Sequence, residues 1–176
     1  GETVLGALQP GPSSHAERTR LALSAAGLPT RAADDVLGVI WAKVAFNCVM
    51  NALCAIASIP VSALARYDGF DELALSILRE VSAVAAAEGV QVDTGAALRL
   101  MKAQFDPAAS GDHLASTLQD LINGRRTEIA HLNGAIASRA SAHGIEAPVN
   151  TLITRLVGLL EATWPRRVHR LHPDAQ

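Results

Sequence analysis

From residue 34 onward, apolar residues recur with the spacing of α-helices, in long segments rich in Ala and Leu. The alternating pattern of β-branched residues that is typical of strands is scarce there. Breaks between the segments coincide with Gly and Pro, the residues that most often end helices. We therefore predict a mainly α fold with helices over the ranges 35–58, 61–66, 70–88, 93–104, 112–123, 126–143 and 149–163.

The first 33 residues have a different pattern. A short apolar run at 3–8 predicts a strand, a helix follows that Ser13 or Ser14 can cap, and residues 30–33 suit a second strand. A parallel sheet needs neighbouring strands and cover on both faces, so this unit is too small to form a layered α/β domain alone. We expect residues 1–33 to be the end of a preceding domain, with more chain upstream of Gly1.

Composition narrows the class of protein. The chain has 176 residues, 49% of them hydrophobic, and a formal net charge of −2. This is enough apolar material for a buried core, and the charge gives no reason to expect nucleic acid as a partner. Clustered Arg and His in the tail after Trp164 are predicted to be solvated.

Cys48 and Cys54 lack metal-ligand spacing, so we predict no metal site and two buried free thiols of a cytoplasmic protein.

Residues 36–61 are apolar enough to raise the possibility of a membrane span. Lys43 argues against it, because a lysine in the middle of a spanning helix costs about 2.5–3.5 kcal/mol on insertion scales. Asn47 and Asn51 follow Lys43 at four-residue steps, about 40° apart around a helix axis, and form one polar stripe. The stripe is either a hydrogen-bonded seam between packed helices or the wall of a cleft with one proton donor and two amides.

A second polar cluster lies within STLQDLINGRRTEIAHLNG, residues 116–134. Its ordinary interpretations are structural: Ser116 as a helix cap, Asp120 and Arg125 as surface charges, and Glu128 as an acid in the first turn of a helix. From the residues alone we favour these interpretations.

Two separated motifs nevertheless resemble the ketopantoate reductase (2-dehydropantoate 2-reductase) family. WAKVAFNCVMNALCAI matches the family's lysine followed by two asparagines, and STLQDLINGRRTEIAHLNGAI with the later HGIEAPVN matches its Ser-x-x-x-Asp and Gly-Arg-x-Thr-Glu-Ile elements. The similarity extends over essentially the whole chain. It implies an all-helical C-terminal domain of the 6-phosphogluconate dehydrogenase-like type over residues 34–176. Residues 1–33 would then be the C-terminal remnant of a nucleotide-binding Rossmann domain.

The resemblance also implies residue roles. Lys43 would be the general acid, Asn47, Asn51 and Ser116 would hold the substrate, and Glu128 would organise the lysine and the substrate region. The implied reaction is NADPH-dependent reduction of a 2-keto acid, 2-dehydropantoate, in pantothenate biosynthesis, with Lys43 protonating the carbonyl oxygen. Cofactor-binding residues are not identifiable. Because the chain contains no GxGxxG motif after a strand, we expect it to be inactive and to bind NADPH poorly by itself.

Ala52 and Ala130 stand where many family members have a proline and an aspartate, which weakens the assignment to 2-dehydropantoate in particular. Two alternatives stay open: a related reductase of another 2-keto acid, and a non-catalytic helical module for homodimerisation or partner binding. No membrane partner is expected.

The spacing of Ser116 and Glu128 makes a geometric prediction. On one straight helix these residues would be about 18 Å apart, too far to serve one small substrate. If they share a site, the chain must bend within about three residues of Gly124, with a new helix starting near Thr127. The Glu128 carboxylate should then lie closer to the Lys43 ammonium than to the Ser116 hydroxyl.

Overall fold

The computed structural model describes residues 2–9, 11–106 and 113–166. Its elements in chain order are strand β1 (Thr3–Leu5), helix α1 (Ser14–Ala25), strand β2 (Thr30–Ala32), helix α2 (Val36–Ala57), a 3-10 helix (Val61–Arg66), α3 (Phe70–Ala87), α4 (Thr94–Ala103), α5 (Ser116–Ile122), a 3-10 helix (Ile129–His131), α6 (Asn133–Ala142), α7 (Pro148–Thr163) and a 3-10 helix (Trp164–Arg166). The prediction of a mainly α fold is confirmed. The end of the C-terminal tail lies outside the described residues.

Helix α2 is the centre of the molecule, and α3, α4, α5 and α7 all pack against it. It begins where the Asp35 side chain accepts a hydrogen bond from the Gly38 amide (2.8 Å), which satisfies one of the unpaired donors of the first turn. It ends at Ser58, whose left-handed backbone (φ 58°) stops the helix two residues before Pro60. Its second half, from Cys48 to Ala55, is continuously buried.

Among the described residues, α2 is the one helix long and apolar enough to cross a membrane by length and composition, and 56% of its most apolar window is buried inside the protein. More than half of this window is therefore covered by neighbouring helices, whereas Ile40, near the start of α2, remains 47% exposed. The covered part accounts for much of the hydropathy of α2, because helix faces that pack against other helices are apolar.

A buried polar network crosses the core and joins four helices. The Asn133 amide donates to the Cys48 carbonyl of α2 (3.0 Å) and to Asn150 Oδ1 on α7 (2.9 Å). Glu80 on α3 accepts from the Val149 and Asn150 backbone amides, both at 2.9 Å. The carboxylate thus caps α7, whose own N-cap residue provides no side-chain hydrogen bond. The relative placement of α2, α3, α6 and α7 is fixed by these bonds as well as by apolar packing.

The first 33 residues form the predicted strand, helix and strand. β1 and β2 pair in parallel, with Thr3 opposite Thr30 and Leu5 opposite Ala32. α1 contacts β2 but contains no buried residue. The unit therefore has little core of its own.

The predicted helix over 126–143 is wrong in its first half. The chain instead forms the short 3-10 helix Ile129–His131, and α6 begins only at Asn133. Leu132, with φ −104° and ψ −102°, interrupts the helical backbone between them. The residues before Leu132 are held outside the helix by tertiary contacts, since the Thr127 amide and hydroxyl both donate to Glu161 of α7.

Candidate active site

One cavity of about 410 Å³ brings together all five side chains that the sequence analysis singled out. It lies between α2, the segment that leads into α5, and the loop that precedes the second 3-10 helix. Its lining residues are Lys43, Phe46, Asn47, Met50, Asn51, Val61, Gln104, His113, Ala115, Ser116 and Glu128. Polar groups that are about 80 residues apart in the sequence therefore face one space.

Helix α2 supplies one wall. Lys43 is exposed, Asn47 is half-buried and Asn51 is buried, so the stripe runs from solvent toward the core as the helix proceeds. Within the described part of the chain, the Lys43 ammonium has no hydrogen-bond or ion-pair partner. A lysine of a structural seam would have protein acceptors, so the open cavity is the space that its proton donors can reach.

Asn51 and Ser116 join two walls of the cavity. The Asn51 Nδ2 donates to Ser116 Oγ at 3.1 Å, across 65 residues of sequence. Because the serine oxygen accepts this bond, its own hydroxyl hydrogen remains available for a second acceptor in the cavity. Ser116 is the first residue of α5 rather than its cap, which is Ala115.

The bend that the sequence predicts near Gly124 is present. α5 ends at Ile122, and Gly124 has φ 64°, in the left-handed region that favours glycine. Arg125 closes the turn, because its backbone amide donates to the Asp120 carbonyl (2.8 Å) and its Nε donates to the Asp120 carboxylate (2.9 Å). Asp120 and Arg125, interpreted from the sequence as surface charges, are paired with each other, and their pairing stabilises this turn.

Thr127 and Glu161 then hold the loop that carries Glu128. The Glu161 carboxylate of α7 accepts from the Thr127 amide at 2.7 Å and from the Thr127 hydroxyl. Thr127 is buried whereas Glu128 is exposed to the cavity, so the two neighbours point to opposite sides of the loop. Glu128 reaches the cavity wall because Thr127 is bound on the other side. That it lies closer to Lys43 than to Ser116 stays a prediction.

Several lining residues were not found from the sequence. Phe46, Met50 and Val61 form the apolar part of the wall, and Gln104 and His113 come from segments with no motif. Phe46 and Met50 lie beside the polar stripe on α2, so the stripe itself could have indicated them. For Gln104 and His113 the sequence offers no signal, because only the packing of α4 and the segment before α5 brings them here.

In the described residues, no group of three or more His, Cys, Asp or Glu side chains is placed to hold a metal ion. The cavity instead combines a lysine, a carboxylate, two amides and a hydroxyl with an apolar wall. Such a set can bind a small polar molecule and give a proton to one of its oxygens.

Comparison with known proteins places this arrangement in a family. Residues 35–161 match the model of the ketopantoate reductase PanE/ApbA C-terminal domain. The 2-dehydropantoate 2-reductase of Lactococcus lactis is 30% identical over 158 residues, which is 89% of this chain and 51% of that protein. The enzyme of the same name from Archaeoglobus fulgidus is 30% identical over 92% of this chain and 53% of its own length.

Solved structures are also similar to this chain. A PanE/ApbA family ketopantoate reductase from Ralstonia eutropha has a TM-score of 0.78 and 36% identity, covering 94% of this chain and 53% of that one. A ternary structure of D-mandelate dehydrogenase with NADH and anilino(oxo)acetate has a TM-score of 0.87 and 30% identity, covering 93% of this chain and 68% of that one. This chain spans about half the length of the curated relatives it matches. The chain belongs to the ketopantoate reductase family, an oxidoreductase family, and carries its helical C-terminal domain.

Proposed function

We propose that this chain is the substrate-binding and catalytic helical part of an NADPH-dependent 2-keto acid reductase, with 2-dehydropantoate as its first candidate substrate. The observation that carries the proposal is the common cavity of Lys43, Asn47, Asn51, Ser116 and Glu128. Residues 34–176 form this part, and residues 1–33 are the end of the nucleotide-binding domain.

The roles follow from the chemistry of each group. In the reduction, the carbonyl carbon gains a hydride, its oxygen gains a proton, and a 2-hydroxy acid results. Lys43 gives the proton, since it lines the cavity and its ammonium has no acceptor among the described residues. The amides of Asn47 and Asn51 and the Ser116 hydroxyl orient the substrate without adding a formal charge beside the lysine. Glu128 orients the lysine and the polar end of the substrate.

The hydride is supplied by a reduced nicotinamide that must be held by other parts of the enzyme. The residues described between β1 and α1 do not fit a dinucleotide phosphate site: they include Gly11 and Pro12 but no GxGxxG, and proline lacks the amide donor that such a site needs. The proposal of NADPH rests on the family resemblance alone, and the D-mandelate dehydrogenase structures contain NADH.

A second candidate substrate is a 2-keto acid with an aromatic substituent. The similarity to D-mandelate dehydrogenase, whose named substrate is an aromatic 2-hydroxy acid, favours it. Phe46, Met50 and Val61 in the cavity wall would contact such a substituent. Comparing kcat/KM for 2-dehydropantoate and phenylglyoxylate in the enzyme that contains this domain decides between the two.

The test of the proposal is Lys43→Met in that enzyme. Loss of a general acid should lower kcat by about 10²–10⁴-fold, while thermal stability stays near that of the unchanged enzyme because Lys43 is exposed. Lys102→Met is the matched control, since Lys102 pairs with Asp71 outside the cavity.

Near-normal turnover in Lys43→Met would instead favour a non-catalytic helical module. Homodimerisation through the helical domain is compatible with either function, because α7 exposes Leu152, Leu156 and Leu159 and contributes nothing to the cavity. Sedimentation velocity of the chain would show directly whether it forms a homodimer.

A further inference from the structure

The candidate active site contains a second basic side chain that neither motif includes. His113 lines the cavity together with Lys43, and no other lining residue among those described has a basic group. Of the lining residues that the structure describes, Glu128 alone is acidic. One lysine and one glutamate cancel in formal charge, so these two residues leave no net positive charge for an anionic substrate.

The backbone fixes where His113 lies. Its carbonyl oxygen accepts from the Val61 amide at 3.1 Å, at the start of the first 3-10 helix. The next carbonyl, of Leu114, accepts from the Gln119 side chain at 2.6 Å. The backbone of this segment is therefore held on two sides immediately before α5, which places His113 at the edge of the cavity that it lines.

A 2-keto acid presents two adjacent oxygen groups, a ketone and a carboxylate. If the Lys43 ammonium serves the ketone oxygen, the carboxylate needs other donors. One hydrogen of the Asn51 amide is already given to Ser116, so the donors that remain beside His113 include the neutral Asn47 amide, the second Asn51 hydrogen and the Ser116 hydroxyl. An imidazole donates a hydrogen bond in both of its protonation states, and bonds to a carboxylate are stronger than bonds between neutral groups.

We propose that His113 binds the carboxylate of the 2-keto acid substrate and so makes the site selective for acids over their neutral analogues. This inference rests on the proposed function. Two elements would then bind the two oxygen groups of the substrate. Helix α2 provides the proton donor for the ketone, and His113, before α5, provides the hydrogen-bond donor for the carboxylate.

The experiment compares two ligands that differ in charge. Calorimetry of the cofactor-loaded full-length enzyme would measure Kd for the acid that it binds, 2-dehydropantoate or anilino(oxo)acetate, and for the neutral primary amide of that acid. His113→Leu removes the donor, His113→Gln retains one, and His143→Leu is the matched control because His143 lies near Glu88 outside the cavity. We expect His113→Leu to weaken binding of the acid by about tenfold or more, the range of a hydrogen bond to a charged group. Binding of the amide should change by less than about twofold, and His113→Gln should restore most of the affinity for the acid.

Equal weakening of both ligands in His113→Leu would mean that the side chain only packs against the ligand, and it would overturn the inference. So would unchanged Kd for the acid. If the unchanged, folded enzyme binds neither 2-dehydropantoate nor anilino(oxo)acetate, the proposed function itself fails. If it binds one of these acids but His113→Leu leaves the Kd unchanged, only the inference about His113 fails.

Discussion

Cys48 and Cys54 lie on the buried half of α2 and have no exposed surface. Burial raises the pKa of each thiol to about 12, because the interior disfavours the thiolate. Both are free thiols, as the sequence predicts, and neither lines the candidate site. They act as small apolar residues in the contact of α2 with its neighbours.

The raised pKa values predict a loss of stability at high pH. Below about pH 9 both states keep the proton and the stabilisation is fully present. Between about pH 9 and 12 the unfolded chain loses the proton and the folded one does not, so the free energy of unfolding falls by about 1.4 kcal/mol per pH unit for each thiol. Urea unfolding of the chain from pH 8 to 11 measures this.

The control is the double variant Cys48→Ala, Cys54→Ala, which should show a shallower decline. At pH 8 the native chain should leave both thiols unmodified by a thiol reagent until denaturant is added. Rapid modification without denaturant would mean that α2 opens readily, and it would contradict the packing of its second half.

Among the elements, the loop between α5 and α6 depends most on a distant residue. Glu161, near the end of α7, binds the Thr127 amide and hydroxyl and so holds the loop from the side opposite the cavity. A second bond, from the Ile129 amide to the Thr127 hydroxyl, connects this anchor to the 3-10 helix. Glu161 is therefore a positioning residue for Glu128.

We predict that Glu161→Ala speeds amide hydrogen exchange in residues 124–133 and lowers the free energy of unfolding by about 1–3 kcal/mol, the cost of leaving the Thr127 donors without their charged acceptor. Glu161→Gln, which keeps an acceptor oxygen, should retain most of the protection. Glu146→Ala is the control, because Glu146 is exposed before α7. Exchange that is unchanged in Glu161→Ala would show that other contacts hold the loop.

This loop also shows what a sequence pattern can and cannot predict. The periods of α2, α3, α4 and α7 predict those helices to within about two residues, because each buries an apolar face. The predicted helix over 126–143 is wrong in its first half, because the backbone is interrupted at Leu132 and the segment before it is bound to α7 through Thr127 and Glu161, 34 positions apart. Local periodicity contains no information about such a distant contact. The polar stripe on α2 is predictable from the sequence because its residues recur at helical spacing, as the residues of an apolar face do. His113 belongs to no such pattern, and tertiary packing alone brings it to the cavity.

At the scale of the whole molecule, the two parts of the chain differ in how they are stabilised. The helical part has a continuous core centred on α2, supported by the buried network of Asn133, Asn150 and Glu80. The β1–α1–β2 unit has two strands of three residues each and a helix without a buried residue. Three or more strands are generally needed for a sheet that is stable by itself. The proposed boundary between residues 33 and 34 coincides with this change.

The boundary between residues 33 and 34 should separate two parts of different local stability. In the chain alone, backbone amides of residues 2–33 should exchange with solvent far faster than those of the helices, because opening the small unit costs few buried contacts. Helix α2 and its neighbours should retain protection close to the global free energy of unfolding. Limited proteolysis should cut first within residues 11–33, and the fragment from residue 34 onward should keep its helical circular dichroism and melting temperature. A matched control is the same digestion of the full-length enzyme, where neighbouring strands would cover β1 or β2 and slow the cut. If removal of residues 2–33 unfolds the helices, the two parts form one cooperative unit and the proposed division is wrong.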